Sequence, residues 1–356
     1  MAVSFHPLSV SQVEQLTDKA VALHFDVPDD LRETFSFVPG QYLTLRATID
    51  GEDLRRSYSI CSTGSRGLRV GIKAIEDGRF SGFAQTLKEG AVLHVMPPQG
   101  RFTCKPEQVA GGKFLLIAAG SGITPVLSIA ASLLEETTDC EVTLVFGNQT
   151  TNSIMFRQEI EDLKDRFLAR FHVYHVLSRE AQDVPLFSGR IDLSRIREMA
   201  DKGIISPLDA DGIYICGPAE MSLALSDYFA SSGVSKNAIH TELFETAQDK
   251  NRPAPTRKAV ELAQSGVNVE VVLDGSARHF VLSDAGHTVL KAAEASGLEL
   301  PFSCAGGMCA TCRCKVVEGH GEMDNNFSLD DWEVKAGYVL ACQLRPWYSP
   351  HMPVSD

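Results

Sequence analysis

Four cysteines crowd into the stretch from Cys304 to Cys314, at 304, 309, 312 and 314, and Cys342 follows. The first three are spaced C-x4-C-x2-C, and 29 residues separate Cys312 from Cys342. Thiolates in that pattern can converge on two irons and complete a 2Fe-2S cluster. The intervening Ala305, Gly306, Gly307 and Ala310 are small enough to let backbone amides turn toward sulfur, and such hydrogen bonds help to set a reduction potential. A zinc ribbon would pair two CxxC knuckles, whereas here a five-residue step leads into a three-residue one. A set of free thiols is the remaining alternative. Cys314 exceeds the four ligands needed and, two residues past a ligand on the strand-like RCKVVEG, reads as a buried structural thiol.

Two other groups of residues have the chemistry to hold a dinucleotide. In RRSYSIC, the guanidinium of Arg56 can grip a pyrophosphate bidentately, and Tyr58, two residues on and so on the same face of a strand, can stack on a planar ring. A core tyrosine beside an exposed arginine on a barrel strand explains this peptide equally well. Lys73 and the turn from Gly78 to Ser81 add ammonium, amide and hydroxyl donors for phosphate. Farther along, Gly120, Ser121, Gly122, Ile123, Thr124 and Pro125 follow the apolar KFLLIAA and open a helix, with Pro125 at its first position. Amides there can meet an anion. The pattern is not G-x-G-x-x-G, because Pro125 falls one place before a third glycine would, and an isolated G-x-G can be no more than a tight turn. Ser178 and Arg179, after FHVYHVL, offer a hydroxyl and a cation suited to a 2′-phosphate.

These residues need three kinds of scaffold. Short alternating runs separated by Gly and Pro (AVALHFDV, QYLTLRATI, LRVGIKAI, AVLHVMPP) predict an antiparallel barrel over 1–105. From KFLLIAAG the texture becomes strand, helix, strand: a helix from Pro125 to Glu136, EVTLVFG, the amphipathic MFRQEIEDLKDRF, FHVYHVLS, IYICG and a helix from Ala219 to Ala230. That rhythm predicts an α/β domain with a parallel sheet over 106–248. Residues 249–264, rich in proline and basic side chains, read as a linker. Over 265–356, a hairpin with Asp-Gly at its turn, a helix from Thr288 to Ser296 and the cysteine loop form a third domain. There, Ser328 and Asp331 have the spacing of a capping box for a short helix through Lys335, with Gly337 as its left-handed stop. The fold class is therefore multidomain, α+β and α/β.

Composition excludes several classes of function. At 356 residues the chain exceeds one hydrophobic core, and 44% hydrophobic with 22% charged residues is ordinary for a globular protein. A formal charge of −13 would repel a phosphate backbone, so no nucleic-acid partner is expected. No run reaches the roughly 20 apolar residues that cross a bilayer, and the first residues lack a signal-peptide pattern, so no membrane partner and a cytoplasmic location are expected. Nine cysteines, an odd number with four of them crowded into residues 304–314, do not form a secreted disulfide framework. Twelve acidic residues against six basic ones over 265–356 give the third domain a face that can attract a basic partner, or one that is merely solvated. The ten histidines show no ligand spacing.

In order and spacing, RRSYS, KAIEDGRFS and PPQGRF resemble the flavin domain of the ferredoxin-NADP reductase superfamily, with its R-x-Y-[ST], Gly-x-x-Ser and G-P-x-G-x-F segments; Pro97 replaces the usual glycine of the last. The resemblance implies FAD, with Arg56 and Ser81 on its pyrophosphate, Tyr58 stacked on the isoalloxazine, and Ser59 completing the motif at the site of hydride transfer. AAGSGITP resembles the family's G-x-G-x-T-P loop, and Cys216, Gly217 and Pro218 its C-G-P strand end near the nicotinamide. This assigns NAD(P)H to Gly120, Gly122, Thr124, Pro125, Gly217 and Pro218, and makes Cys216 either a participant in hydride transfer or a plain core thiol. Glu242 and Phe244 resemble the family's E-x-F ending beside the flavin. Ser178 and Arg179 resemble the pair that reads the 2′-phosphate, which favours NADPH over NADH, although Gln149 in GNQTTNSIMFRQ stands where arginine is common. The cysteine loop, AGGMCATCRCKV with GYVLACQ, resembles a plant-type ferredoxin and implies a β-grasp domain. The domain order, together with SGRID, is similar to that of the reductases of multicomponent oxygenases over essentially the whole chain. It implies electron flow from NADPH through FAD and the cluster to a partner oxygenase. An NADH-dependent reductase of a steroid or aromatic-ring hydroxylase shares this order, and a redox-sensing or electron-storage protein is the alternative of another class.

Overall fold

The computed structural model describes residues 4–109, 111–244, 266–284, 286–348 and 351–355, with side chains described up to 346. The linker expected at 249–264 lies outside them. The chain divides into two compact units, one of residues 5–245 and one holding the C-terminal residues from 246 onward.

The first unit opens with strands β1 (His6–Thr17), β2 (Ala20–Asp26), β3 (Tyr42–Ile49), β4 (Glu52–Ser59), β5 (Leu68–Lys73) and β6 (Val92–Val95), in the sheet order β4-β3-β6-β1-β2-β5. All neighbours are antiparallel. Alternate residues of these strands, among them Leu8 and Val10, Leu43 and Leu45, Val70 and Ile72, and Leu93 and Val95, fill one interior, as the period of two requires. A bridge between Ile60 and Val70, with the Cys61 amide donating to the Arg69 carbonyl at 2.9 Å, joins the outer strands and closes the barrel. The short helix α1 (Arg79–Ala84) follows β5.

Five parallel strands come next: β7 (Gly112–Ala119), β8 (Cys140–Asn148), β9 (Phe171–Leu177), β10 (Gly212–Gly217) and β11 (Ile239–Leu243). Their order is β11-β10-β7-β8-β9. The chain runs outward in one direction from β7 and then returns to lay β10 on its other side, so the topological switch falls between β7 and β10. In such sheets the ligand crevice opens at the carboxyl ends of those two strands. Helices α2 (Ile123–Glu136), α3 (Arg157–Arg166), α4 (Leu193–Asp201) and α5 (Ala219–Ser231) connect the strands. Twelve of the 14 residues of α2 are buried because the helix is covered on two sides, by the sheet and by the barrel residues Ala20, Ala22, Cys61 and Phe102. Barrel and sheet thus share a core. Because α2 starts at Ile123, Pro125 is its third residue rather than its first; no hydrogen bond is lost, since the first four helix amides have no intrahelical acceptor.

The second unit contains β12 (Val267–Leu273), β13 (Ser276–Leu282), β14 (Arg313–Val316), β15 (His320–Met323), β16 (Tyr338–Leu340), β17 (Leu344–Tyr348) and β18 (His351–Ser355). One mixed sheet has the order β13-β12-β18-β14-β16, and β15 pairs with β17. Helix α6 (Val289–Ala295) buries Val289, Leu290, Ala292 and Ala293 in the same core as β12 and β13, a β-grasp arrangement. Thr288 caps α6, its hydroxyl accepting from the Lys291 amide at 3.4 Å. The β12–β13 turn sits at Asp274 (φ 47°) and Gly275 (φ 76°), the two positive values that a two-residue hairpin of this twist demands. The short helix α7 (Asp331–Lys335) forms as expected and Gly337 has φ 88°, but its capping box differs from the one read in the sequence. Asp330 and Glu333 form it instead of Ser328 and Asp331, because Ser328 is held elsewhere, donating to the Gly307 carbonyl at 3.1 Å.

Candidate functional site

The crevice at the switch point is built by close backbone approach. A Cβ on Gly122 would lie 2.2 Å from the Cys216 carbonyl oxygen, so only glycine lets the loop after β7 rest on the end of β10. Gly120 takes φ 56°, and Thr124 Oγ1 donates to the Ser121 carbonyl at 3.0 Å, which tightens the turn into α2. Lys73, at the end of barrel strand β5, brings its Nζ within 3.8 Å of where a Gly120 Cβ would stand. Burial, and secondarily the Lys19 charge, lowers the Lys73 ammonium from its ordinary value, so an anion placed here would restore its preference for the charged form.

Six expected site residues lie along this crevice. Strand β10 pairs with β11 so that Cys216 faces Glu242 and Gly217 faces Leu243. Glu242 Oε2 accepts from Ser59 Oγ at 3.1 Å, across 183 residues of sequence. Cys216 is fully buried, and burial followed by the Glu242 charge pushes its thiol well above the usual range, so it remains a neutral thiol. Phe244 continues past the strand end, its amide 3.5 Å from the Gly217 carbonyl, and packs on the core that α2 anchors. Pro218 precedes α5, which begins at Ala219.

On the barrel side, Arg56 and Tyr58 stand two apart on β4, opposite Leu45 and Leu43 of β3. Arg56 Nη1 donates to the Arg55 carbonyl at 2.7 Å. The Tyr58 ring lies 5.7 Å from that of Phe80 in α1, and burial drives its phenol far above its ordinary pKa despite the opposing Arg56 charge. At the start of α1, Ser81 Oγ donates to the Gly78 carbonyl at 3.1 Å and accepts from the Ile75 amide at 3.3 Å. A Cβ on Gly78 would be 2.3 Å from that oxygen, which explains the glycine. Arg56 and Tyr58 therefore share one face of β4, and Ser59, on the other face, ends the strand at the crevice.

Ser178 and Arg179 are set apart, two strands away from β7 at the end of β9. Their amides donate to the carbonyls of Asn148 and Gln149 at 2.9 and 2.8 Å, which puts Gln149 beside Arg179. Two neighbours were not singled out in the sequence. Glu180 accepts from both the amide and the hydroxyl of Thr151, bonds that hold its carboxyl below the usual range. Arg195 of α4 donates to the carbonyls of Leu186, Ser188 and Arg190 and so fixes the loop that bridges to Leu177.

In the second unit the four ligand candidates come together as two pairs, with the thiols of Cys304 and Cys309 in hydrogen-bonding reach of each other and those of Cys312 and Cys342 likewise. This suits two irons with two thiolates each. Ala305 (φ 50°), Gly307 (φ 80°) and Ala310 (φ 56°) take left-handed conformations that aim amides inward. The Gly306 amide donates to Cys304 Sγ at 3.4 Å, and the Cys304 amide approaches Cys309 Sγ at 3.5 Å. Cys314 is buried in the unit's core. Gln343 was not foreseen: it is buried beside Cys342, and its Nε2 donates to the Ala305 carbonyl at 3.0 Å and reaches Cys342 Sγ at 3.5 Å. Only its adjacency to a ligand could have signalled this.

Comparison with known proteins agrees with this arrangement. The oxidoreductase FAD-binding domain family matches residues 7–104, the oxidoreductase NAD-binding domain family residues 116–227, and the 2Fe-2S iron-sulfur cluster binding domain family residues 271–346. The chain is 41% identical to one of the subunits of the 1,2-phenylacetyl-CoA epoxidase of Escherichia coli (strain K12), over 96% of this chain and 95% of that one. It is 33% identical to the ferredoxin reductase component of 3-ketosteroid-9-alpha-monooxygenase from Rhodococcus rhodochrous, over 95% and 93%. In fold it is similar to phthalate dioxygenase reductase, at a TM-score of 0.62 and 19% identity, covering 99% of this chain and 98% of the other. The chain therefore belongs to the ferredoxin-NADP reductase superfamily, in the branch of FAD- and pyridine-nucleotide-dependent oxidoreductases that carry a C-terminal 2Fe-2S domain.

Proposed function

We propose that this protein is the reductase of a multicomponent oxygenase that acts on phenylacetyl-CoA, drawing electrons from NADPH. The observation that carries this is the meeting of the end of barrel strand β4, at Ser59, with the strand end Cys216–Gly217 through the Ser59–Glu242 hydrogen bond, in a chain that also holds four paired thiols. We assign residues 1–105 to flavin binding, 106–248 to nucleotide binding, 249–264 to a linker and 265–356 to the cluster. When bound, FAD supplies the conversion between a two-electron donor and a one-electron carrier.

The protein's own residues bind, orient and exclude water. Arg56 and the Gly78–Ser81 turn offer a guanidinium and amides to the FAD pyrophosphate, and Tyr58 offers its ring face to the isoalloxazine. Gly120, Gly122, Thr124 and Pro125 present the start of α2 to the nucleotide phosphates, with Lys73 as the neighbouring charge. Gly217 and Pro218 let the nicotinamide approach without a side chain in between. Ser59 holds Glu242 in place, and Cys216, kept neutral, closes the floor of the crevice with an apolar wall. Phe244 shields the flavin side. Ser178 and Arg179 select NADPH by a hydroxyl and a guanidinium at its 2′-phosphate. Cys304, Cys309, Cys312 and Cys342 hold the cluster.

Reconstituted turnover tests the reading. NADPH, the reductase and the oxygenase component of phenylacetyl-CoA epoxidase should together convert phenylacetyl-CoA to its epoxide, and omission of the reductase should stop the reaction. An oxygenase that this reductase cannot support, when the reductase does support a steroid hydroxylase, would contradict the assigned substrate.

A further inference from the structure

We propose that Gln343 raises the reduction potential of the 2Fe-2S cluster through a hydrogen bond from its side-chain amide to the sulfur of Cys342, and that the same amide ties the loop after Cys304 to that ligand. The proposal rests on the reading above that Cys304, Cys309, Cys312 and Cys342 hold the cluster. Gln343 acts through Cys342 and is a positioning residue.

Gln343 is 2% exposed, although its residue type ordinarily faces water. Burying an amide is tolerated only where its donors and its acceptor find partners. Its two N–H donors have three acceptors in reach: the Ala305 carbonyl at 3.0 Å, the Cys342 carbonyl at 3.0 Å and Cys342 Sγ at 3.5 Å. Carbonyl oxygens only accept, so the atom that faces two of them is the nitrogen; the flipped amide would set oxygen against oxygen. On the other side, Oε1 accepts from Asn325 Nδ2 at 3.5 Å. With one hydrogen directed at Ala305, the second is shared between the carbonyl and the sulfur of Cys342. A neutral thiol is a weak acceptor, whereas a metal-bound thiolate carries charge and strengthens the bond to sulfur.

The backbone holds the amide in this place. The Gln343 N–H donates to the Leu340 carbonyl at 2.8 Å, and the Gln343 carbonyl accepts from the Asp324 amide at 3.0 Å. A Cβ on Gly307 would lie 3.0 Å from Gln343 Cγ, so the cysteine loop packs against this side chain because a glycine stands there. Elsewhere in the site the donors to sulfur belong to the backbone, as with the Gly306 amide on Cys304 Sγ. A side-chain donor differs in that one substitution removes it. Reduction adds negative charge that the sulfurs share, so a donor to a ligand sulfur stabilises the reduced form more than the oxidised one. Gln343 thereby favours arrival of the electron.

The test is a potentiometric titration of the full-length holoprotein with dithionite, followed by electron paramagnetic resonance, which needs no nicotinamide. Gln343→Leu should keep its iron and lower the cluster midpoint by about tenfold in the equilibrium, or about 59 mV for one electron, with the flavin midpoint unchanged. A role confined to holding the loop predicts the opposite sign, because a loosened loop admits water that donates to the same sulfurs. A midpoint that is unmoved or raised while iron is retained would overturn the proposal. Should the variant lose its iron, pulsed resonance of the reduced wild-type protein, made with glutamine labelled with nitrogen-15 at the side-chain amide alone, decides the matter. Gln343 is the only glutamine over 265–356, so a coupling from that label is expected, and its absence overturns the proposal. Cys342→Ala with its cluster intact would defeat the ligand assignment and the proposal together, whereas an unmoved potential in Gln343→Leu defeats the proposal alone.

Discussion

At the scale of residues, the account depends on a few contacts that no neighbour can replace. Ser59→Ala removes the donor to Glu242 and leaves a carboxylate to reorganise; a hydrogen bond to a charged group contributes about 1.5–3 kcal/mol, so flavin reduction in stopped flow should slow by about ten- to a hundredfold while FAD stays bound. Gly122→Ala would set a Cβ 2.2 Å from the Cys216 carbonyl and should abolish reduction by the nucleotide without removing the flavin absorbance. Cys309→Ala should lose iron, and Cys314→Ala should keep it, which iron analysis and visible spectra can separate. Chemistry-bearing residues were legible in the sequence where identity and spacing act together, as in the four cysteines. Ser59 with Glu242 was not, because a contact across 183 residues leaves no local pattern; each belonged to its own short motif, and only the fold joined them. Gln343 offered only its adjacency to the ligand Cys342, and Glu333 only its place three residues after Asp330.

At the scale of elements, the barrel and the nucleotide-binding sheet are fastened by charge as well as by a shared core. Arg66 pairs with Glu135 at 2.6 Å and Glu159 at 3.2 Å, Arg69 with Glu159 at 2.7 Å, and Arg166 with Glu135 at 2.9 Å, joining the barrel to α2 and α3. Phe156, left-handed at φ 55°, sets its ring against Gly71 of β5 and under the Arg69 guanidinium. Glu159→Gln would leave Arg69, which is nearly buried, without its closest carboxylate. Stability measured by thermal unfolding should fall by on the order of 2 kcal/mol, less than a fully buried pair would lose because Arg66 is partly exposed. At α4, Asp192 accepts from the Arg195 amide at 2.9 Å, a bond that holds its carboxyl below the usual range. A depressed folded-state pKa contributes stability above the unfolded pKa and loses it as pH falls through the folded value. Asp192→Ala should therefore cost about 1 kcal/mol at neutral pH and progressively less in acid. Element boundaries followed the sequence where periodicity was strong, as in β2, β3, β5 and α5, whereas β1 was not among the alternating runs. They shifted where competing polar contacts decided: the box on α7 moved to Asp330 and Glu333 once Ser328 bonded to Gly307.

At the scale of the whole molecule, domain order was legible because each domain has its own periodicity and its own motif. What the sequence left open was which residues read the nucleotide. Ser178 and Arg179 stand beside Gln149 and near a pinned Glu180, and in the function proposed above Arg179 is the guanidinium assigned to the 2′-phosphate. Arg179→Gln should shift the preference from NADPH toward NADH by about tenfold or more in kcat/KM, since a charged hydrogen bond to phosphate is lost. The central claim is that one chain carries electrons from NADPH through its flavin to its cluster. An anaerobic titration of the purified holoprotein with NADPH, followed by visible absorbance and by electron paramagnetic resonance, tests this most directly. The account predicts that flavin and cluster bands bleach together at low NADPH, that the signal of a reduced 2Fe-2S cluster grows in step, and that NADH needs much higher concentrations. A flavin that bleaches while the cluster stays oxidised through excess NADPH would contradict it.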